Sequence, residues 1–201
     1  MAEFRLKPRS PFAGLLKPGR HGAREGAAGV RLSARTGLAL FVISAGAGKA
    51  SEVATKMHSV TGLDLPMGSK RVSKNGFALI GTAPGQWLAV AESKEAHALP
   101  AMLGVALKGV ATVVDQSDGK AVLRISGPRA REVLAKGCSL DLHPSVFKPG
   151  SAGTTPVALI DCVIWQGDET PSYELAVPTS FAESFWSWLT ASAAEYGYSV
   201  E

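Results

Sequence analysis

The sequence contains the same order of secondary-structure patterns twice, and this internal repeat restricts the possible folds more than any other feature. Each half reads as strand, helix, strand, strand, helix, strand, and short segments match in both halves. GLDLP at residues 62–66 returns as SLDLHP at residues 139–144, and WLAVAE at residues 87–92 returns as ELAVP at residues 174–178. In the ferredoxin-like βαββαβ unit, this order folds as two helices on one face of an antiparallel sheet.

The repeat therefore predicts an α+β fold with two tandem ferredoxin-like units and antiparallel sheets. Residues 36–118 form the first unit and residues 119–201 the second. Residues 1–35 precede them, and we interpret them as an extended basic arm.

The first unit opens with a short apolar run at residues 37–44, which favours a buried strand. The next segment has helical spacing and ends at Gly62, a typical helix C-cap residue; its apolar stripe is Ala50, Val53, Ala54, Met57 and Val60. Two strands, FALIGT and QWLAVAE, flank the turn APG. A helix over residues 99–107 and a strand over residues 109–117 complete the unit.

The second unit repeats this order. AVLRIS predicts a strand, a helix begins at Pro128 and ends at Gly137, and VALIDCVIWQ and SYELAVP predict two further strands. A capping box of Ser180 and Glu183 predicts the start of a long helix, and YSV closes the unit as a strand.

The positive charge of the chain lies almost entirely in the arm. Residues 1–35 hold eight Lys and Arg against two Glu, whereas the remaining residues hold 13 basic and 15 acidic side chains. The arm is rich in Gly and has no aromatic residues among its arginines, so we do not expect nucleic-acid binding. We expect it to lie along a partner protein and to make few contacts with the rest of its own chain.

Two segments raise the question of anion binding. SAGAGKAS at residues 44–51 follows a strand and opens a helix, but it lacks the glycine and hydroxyl pattern of a phosphate loop, which favours a plain turn. Arg129 and Arg131 lie at the start of a helix that could hold an anion, although both also fit a solvated helix face. The four histidines show no metal-ligand spacing.

The remaining composition favours a cytoplasmic protein that does not contact a membrane. No run approaches the roughly 20 apolar residues of a spanning helix, and the first residues lack the apolar core of a signal peptide. Cys138 and Cys162 are interpreted as reduced, partly buried residues.

The run VVDQSDGKAVLRISGPRAREVLAKGCSLDLHP, at residues 113–144, resembles the D-x-S…SGP…L segment of the folate-binding aminomethyltransferase superfamily. Together with SPFAGLL, PGQWLAVAE, YELAVPTSFAESFWSWL and AAEYG, this run resembles the gamma subunits of heterotetrameric sarcosine oxidases. The resemblance extends over nearly the whole chain, and it implies an aminomethyltransferase-like fold.

The resemblance implies a small structural subunit without catalytic, cofactor-binding or metal-binding residues of its own. Its partners would be the alpha, beta and delta subunits, which would carry FAD, FMN, NAD, tetrahydrofolate and zinc. The assembly would oxidise sarcosine to glycine, with hydrogen peroxide and either formaldehyde or 5,10-methylenetetrahydrofolate as products. The alternative is an independent folate-binding or one-carbon transfer protein on the same fold.

The aminomethyltransferases present an acidic residue to folate on a turn with paired glycines and paired acids. The corresponding stretch resembles TTPVALIDCVIWQ, in which Asp161 keeps the first acid, Cys162 replaces the second and the paired glycines are missing. Asp161 is thus either a buried acid with a shifted pKa or, as we favour, a hydrogen-bonded structural residue.

We predict a partner interface at two places. Trp186 lies at the margin of the apolar stripe of the last helix, where its own sheet would cover it only in part. The arm contributes the remaining candidates, which are Phe12, Leu15, Leu16, Arg20 and Arg24. The alternative for Trp186 is packing under the N-terminal segment or against the first unit.

Overall fold

The computed structural model describes residues 10–92, 98–168 and 171–201. In chain order these residues form β1 (Gly19–His21), β2 (Val30–Arg35), β3 (Ala39–Ala45), α1 (Ala50–Thr61), β4 (Arg71–Lys74), β5 (Phe77–Ala83), β6 (Gln86–Ala91), α2 (Leu99–Ala106), β7 (Ala111–Asp115), β8 (Lys120–Ser126), α3 (Ala130–Ala135), β9 (Ala152–Val157), β10 (Ile160–Gln166), β11 (Ser172–Pro178), α4 (Ala182–Ala193) and β12 (Tyr198–Val200).

The first sheet has the strand order β4-β5-β6-β3-β7, and all neighbouring strands are antiparallel. Helices α1 and α2 cover one of its faces, where Val53, Met57 and Leu103 are fully buried against the strands. Residues at alternate positions, such as Leu40 and Ile80, belong to a separate cluster on the opposite face. Strands β3, β5 and β6 read as nearly continuous apolar runs because both of their faces are buried.

The second sheet has the strand order β1-β12-β2-β8-β11-β10-β9. Its pairs are antiparallel except for β12 and β2, which are parallel. Helices α3 and α4 cover one face, and the cluster beneath them includes Leu134, Leu175 and Phe185. The α+β prediction with antiparallel-rich sheets is confirmed.

The two sheets pack face to face, and the four helices lie on the outer sides. The shared cluster combines Leu88 and Val90 of the first sheet with Val163, Trp165 and Ala176 of the second. Backbone hydrogen bonds reinforce the contact where β4 begins: Arg71 N–H donates to Gly150 O at 2.7 Å. Alternation of side chains along each strand therefore divides the apolar residues among three clusters.

The prediction that the N-terminal arm makes few contacts with its own chain is wrong for residues 10–35. Strand β2 lies between β12 and β8, and Val30 and Leu32 are fully buried under the helices. The segment VRLSAR alternates apolar and polar residues, which is the strand pattern that the overall composition of the arm obscures. Residues 1–9 of the predicted arm lie outside the described residues.

The structure corrects three further predictions. The single strand VALIDCVIWQ is a hairpin, because Ala158 and Leu159 form a two-residue turn between β9 and β10. Strand β4 has no counterpart in the predicted order. Helix α4 begins at Ala182 without a side-chain cap, so the capping box predicted at Ser180 does not form.

Candidate subunit interface

The N-terminal segment folds back onto α4, and this contact covers Trp186. The rings of Phe12 and Trp186 lie 6.4 Å apart, and the two side chains are only 1% and 8% exposed. The prediction that Trp186 is partly uncovered is therefore wrong, and the alternative, packing under the N-terminal segment, describes the structure. Phe12 is likewise part of the core, so neither ring is free to contact another subunit.

Leu15 and Leu16 are half-buried and pack against the same core cluster. The chain then turns into β1, where the ring of His21 stacks on Tyr198 at 5.2 Å. His21 Nε2 lies 2.8 Å from Lys17 O, which closes the turn before the strand. The two leucines therefore hold the segment against its own fold.

Arg20 is exposed and shapes the loop that follows β1. Its guanidinium donates hydrogen bonds to the carbonyl oxygens of Gly26 at 2.6 Å and Ala23 at 2.9 Å. Arg24 lies in this loop and is exposed as well. Of the six predicted interface residues, only these two arginines present their side chains fully at the surface.

Strand β1 forms one edge of the second sheet, and a basic surface surrounds it. We define the basic edge as the exposed residues Lys17, Arg20, Arg24 and Arg31. Glu25 is the one acidic residue between residues 17 and 31. An edge strand leaves main-chain groups available, and a cluster of like charges both discourages pairing with a second copy and favours an acidic partner.

Among the described residues, the structure does not build an acid pair near Asp161. Asp161 is exposed on β10 opposite Pro156 of β9, so the interpretation as a buried acid is wrong. The neighbouring Cys162 points into the core, and burial, with a smaller contribution from Cys138, raises the pKa of its thiol far above the ordinary value. Nor does any hydrogen bond of the described residues involve the Asp161 side chain, so the structural role that we favoured for it is not supported.

In both segments considered for anion binding, a basic side chain makes contacts within the chain. Lys49 Nζ donates to Gly109 O at 2.6 Å, so the turn before α1 holds its own lysine. Arg129 pairs with Glu132 at 2.6 Å and lies over the ring of Tyr196, which fits a solvated helix face. Within the described ranges there is no group of three His, Cys, Asp or Glu side chains that could hold a metal ion.

Sequence analysis missed an exposed apolar side chain at the tip of the β9–β10 hairpin. Leu159 is 97% exposed, and both Ala158 and Leu159 have positive φ angles, 51° and 65°. Such two-residue turns ordinarily carry Asn or Gly, because a Cβ atom disfavours this conformation. The sequence offered no signal here, since VALIDC contains none of these residues.

Comparison with known proteins shows the family. The sequence model of the sarcosine oxidase gamma subunit family matches residues 45–195. The chain is 36% identical over 137 residues to the sarcosine oxidase subunit gamma of Corynebacterium sp. strain P-1, which covers 68% of this chain and 66% of that relative. It is 33% identical over 150 residues to the subunit gamma of an Arthrobacter species, covering 74% and 72%. This chain belongs to the sarcosine oxidase gamma subunit family.

Solved structures extend the family match over the N-terminal segment. A chain of the heterotetrameric sarcosine oxidase from Corynebacterium sp. U-96, in complex with pyrrole 2-carboxylate, superposes with a TM-score of 0.82 and 30% identity. This match covers 94% of this chain and 96% of that chain. The aminomethyltransferase T of the glycine cleavage system from Bartonella henselae shares the fold, with a TM-score of 0.65 at 19% identity, over 87% of this chain and 47% of that one.

Across the described parts of the chain, every helix is too short or too polar to cross a membrane.

Proposed function

We propose that the chain is the structural gamma subunit of a heterotetrameric sarcosine oxidase and that the reaction takes place on its partner subunits. The observation that carries the proposal is the end-to-end match to a chain of the Corynebacterium heterotetramer. The position of Asp161 supports it, because an exposed acid beside a buried, protonated thiol is a poor substitute for the paired acids of the aminomethyltransferases.

In this proposal the alpha, beta and delta subunits are the partners, and they hold FAD, FMN, NAD, tetrahydrofolate and zinc. The assembly oxidises sarcosine to glycine in the cytoplasm, reduces oxygen to hydrogen peroxide and releases the one-carbon unit as formaldehyde or as 5,10-methylenetetrahydrofolate. The basic edge around β1 is the part of this chain that we propose for contact with another subunit.

The proposal includes a description of the fold as two ferredoxin-like units, 36–118 and 119–201. The order β5-β6-β3-β7 supports this description for the first unit. In the second unit β12, β8, β11 and β10 have the corresponding order, with β2 of the N-terminal segment inserted between β12 and β8.

Co-expression with the other three subunits tests the assignment. A tag on this chain should co-purify a complex with one copy of each subunit by mass spectrometry, and sarcosine oxidation should appear only with the complex. The isolated chain should contain no flavin and should not bind tetrahydrofolate. Stoichiometric tetrahydrofolate binding by the isolated chain would instead support an independent one-carbon protein.

The substitution Asp161→Asn tests whether this chain contributes to the reaction. Because Asp161 is exposed, we expect turnover of sarcosine by the assembled complex to stay within about threefold of wild type. A loss of roughly a thousandfold with the complex intact would assign Asp161 a chemical role.

A further inference from the structure

A pocket of about 300 Å³ opens at one end of the contact between the two sheets. Its charged residues come from both sheets, and strand alternation turns the arginines and glutamates among them toward the space between the sheets. Arg124 lies on the same face of β8 as Val122, and Glu174 lies on the same face of β11 as Ala176. The pocket lining includes Arg35, Arg71, Lys74, Glu92, Glu174 and Trp165.

The carboxylates of this cluster are already engaged. Glu92 accepts a hydrogen bond from Arg35 at 2.6 Å. Glu174, whose side chain is only 13% exposed, lies 3.4 Å from both Arg35 and Arg124. Two carboxylates thus serve two arginines, and the cluster has one further cation, Arg71. The ammonium of Lys74 lies instead near Gly62, on the other face of the sheet.

Arg71 lacks a carboxylate partner among the described residues. Its guanidinium donates to Ser73 Oγ at 2.9 Å, and its Nε atom is buried without a hydrogen-bond partner. Burial lowers the pKa of Arg71 below its ordinary value, and attraction by Glu174 and Glu92 offsets this only in part. The Nε atom of Arg124 is likewise buried without a hydrogen-bond partner. A buried donor without an acceptor is costly, so this arrangement indicates a place for an anion.

The rest of the pocket restricts the chemistry of that anion. Val90 and Trp165 form an apolar wall and are only 6% and 3% exposed. Glu92 and Glu174 would repel a multiply charged group such as phosphate, whereas a single carboxylate fits the fork of one guanidinium. We propose that this pocket binds a small organic monocarboxylate with an apolar body, anchored by Arg71 and packed against Trp165. The proposal does not depend on the proposed function, because the lining residues that support it all belong to this chain.

Benzoate is a suitable probe, since it has one carboxylate and a flat apolar ring, and benzamide is its neutral analogue. Calorimetric titration of the full-length chain should show saturable binding of one benzoate and no binding of benzamide. Arg71→Gln should weaken benzoate binding at least about tenfold. Arg131→Gln is the matched control, because its Nε is likewise buried and unpaired but lies over Tyr173 outside this pocket; it should leave the affinity unchanged.

A second pair of variants keeps the test independent of the stability of Arg71→Gln. Ser73 is exposed, lines the pocket and accepts a hydrogen bond from Arg71, so Ser73→Asp should fold normally and place a competing carboxylate beside Arg71, which should weaken benzoate binding about fivefold at low salt. Lys108→Gln makes the same change of one charge unit at an exposed site outside the pocket and should have no effect. The proposal is wrong if the wild-type chain shows no saturable benzoate binding, if benzamide binds equally well, or if neither Arg71→Gln nor Ser73→Asp weakens binding.

Discussion

The burial of Trp186 determines whether its replacement should affect the stability of the chain or its assembly. Its ring is buried against Phe12, so Trp186→Ala should destabilise the isolated chain by about 3–5 kcal/mol. Urea unfolding measures this loss directly. Phe181→Ala is the control from the same region, because that aromatic side chain is half exposed and its removal should cost far less. A stable Trp186→Ala chain that fails only in assembly would show that Trp186 acts at an interface.

Cys162 should make stability depend on pH in the alkaline range. Burial holds its pKa above the ordinary value, so the thiol stays protonated in the folded chain while it ionises in the unfolded chain. The stabilisation is fully present below the unfolded pKa of about 9 and falls as the pH rises above it. Between pH 8 and 10, wild type should lose about 1.5 kcal/mol more unfolding free energy than Cys162→Ala. Parallel pH profiles for the two proteins would contradict this account.

Strand β2 joins the N-terminal segment to the second sheet, so its inward side chains should be essential for the stability of the isolated chain. Leu32 is fully buried and lies opposite Ile125 of β8. We expect Leu32→Ala to cost about 2–5 kcal/mol in chemical unfolding. The neighbouring Arg31 is exposed, and Arg31→Ala should change stability by less than about 0.5 kcal/mol. Equal, small effects of both substitutions would mean that β2 is not part of the cooperative fold.

The same elements show what can be predicted from sequence. Strong periodicity and caps identified α1, whose C-cap Gly62 has the expected left-handed φ of 66°, and the strand SYELAVP. Strand β2 was obscured because its six residues lie in a segment whose overall composition is basic and rich in Gly. Strand β4 could have been found from Asn75 and Gly76, a typical hairpin pair that adopts positive φ here. The turn at Ala158 carries no local signal, so only the tertiary pairing of β9 with β10 reveals it.

The candidate sites also differ in whether local sequence is enough to predict them. Arg20 and Arg24 were predicted to be available to a partner, and their exposure is a consequence of local sequence, because a polar, Gly-rich loop surrounds them. The pocket at Arg71 required knowledge of both sheets, since its residues come from β2, β4, β5, β6, β10 and β11 and converge only when the sheets pack. A sequence pattern describes one strand at a time, so it does not show which side chains of different strands meet in the folded chain.

At the scale of the whole molecule, charge is distributed unevenly. The chain carries a net charge of +4. Residues 1–35 have eight basic and two acidic side chains, whereas the remaining residues have slightly more acidic than basic side chains. The basic edge around β1 consequently presents a positive surface at one end of the second sheet. Charges at the rim of an interface mainly change the rate of association and its dependence on salt.

This asymmetry predicts the effect of charge reversal on assembly. Arg24→Glu should slow association with the remaining subunits about fivefold at low salt, and the difference should shrink in about 0.5 M salt because screening shortens the range of the interaction. Arg24 suits the test better than Arg20, which also supports its loop through hydrogen bonds. Lys108→Glu changes the net charge by the same amount at an exposed site beyond α2, and it should leave the rate nearly unchanged. Biolayer interferometry with the other subunits immobilised measures both rates. An equal decrease for Lys108→Glu would show that net charge, and not the basic edge, governs docking.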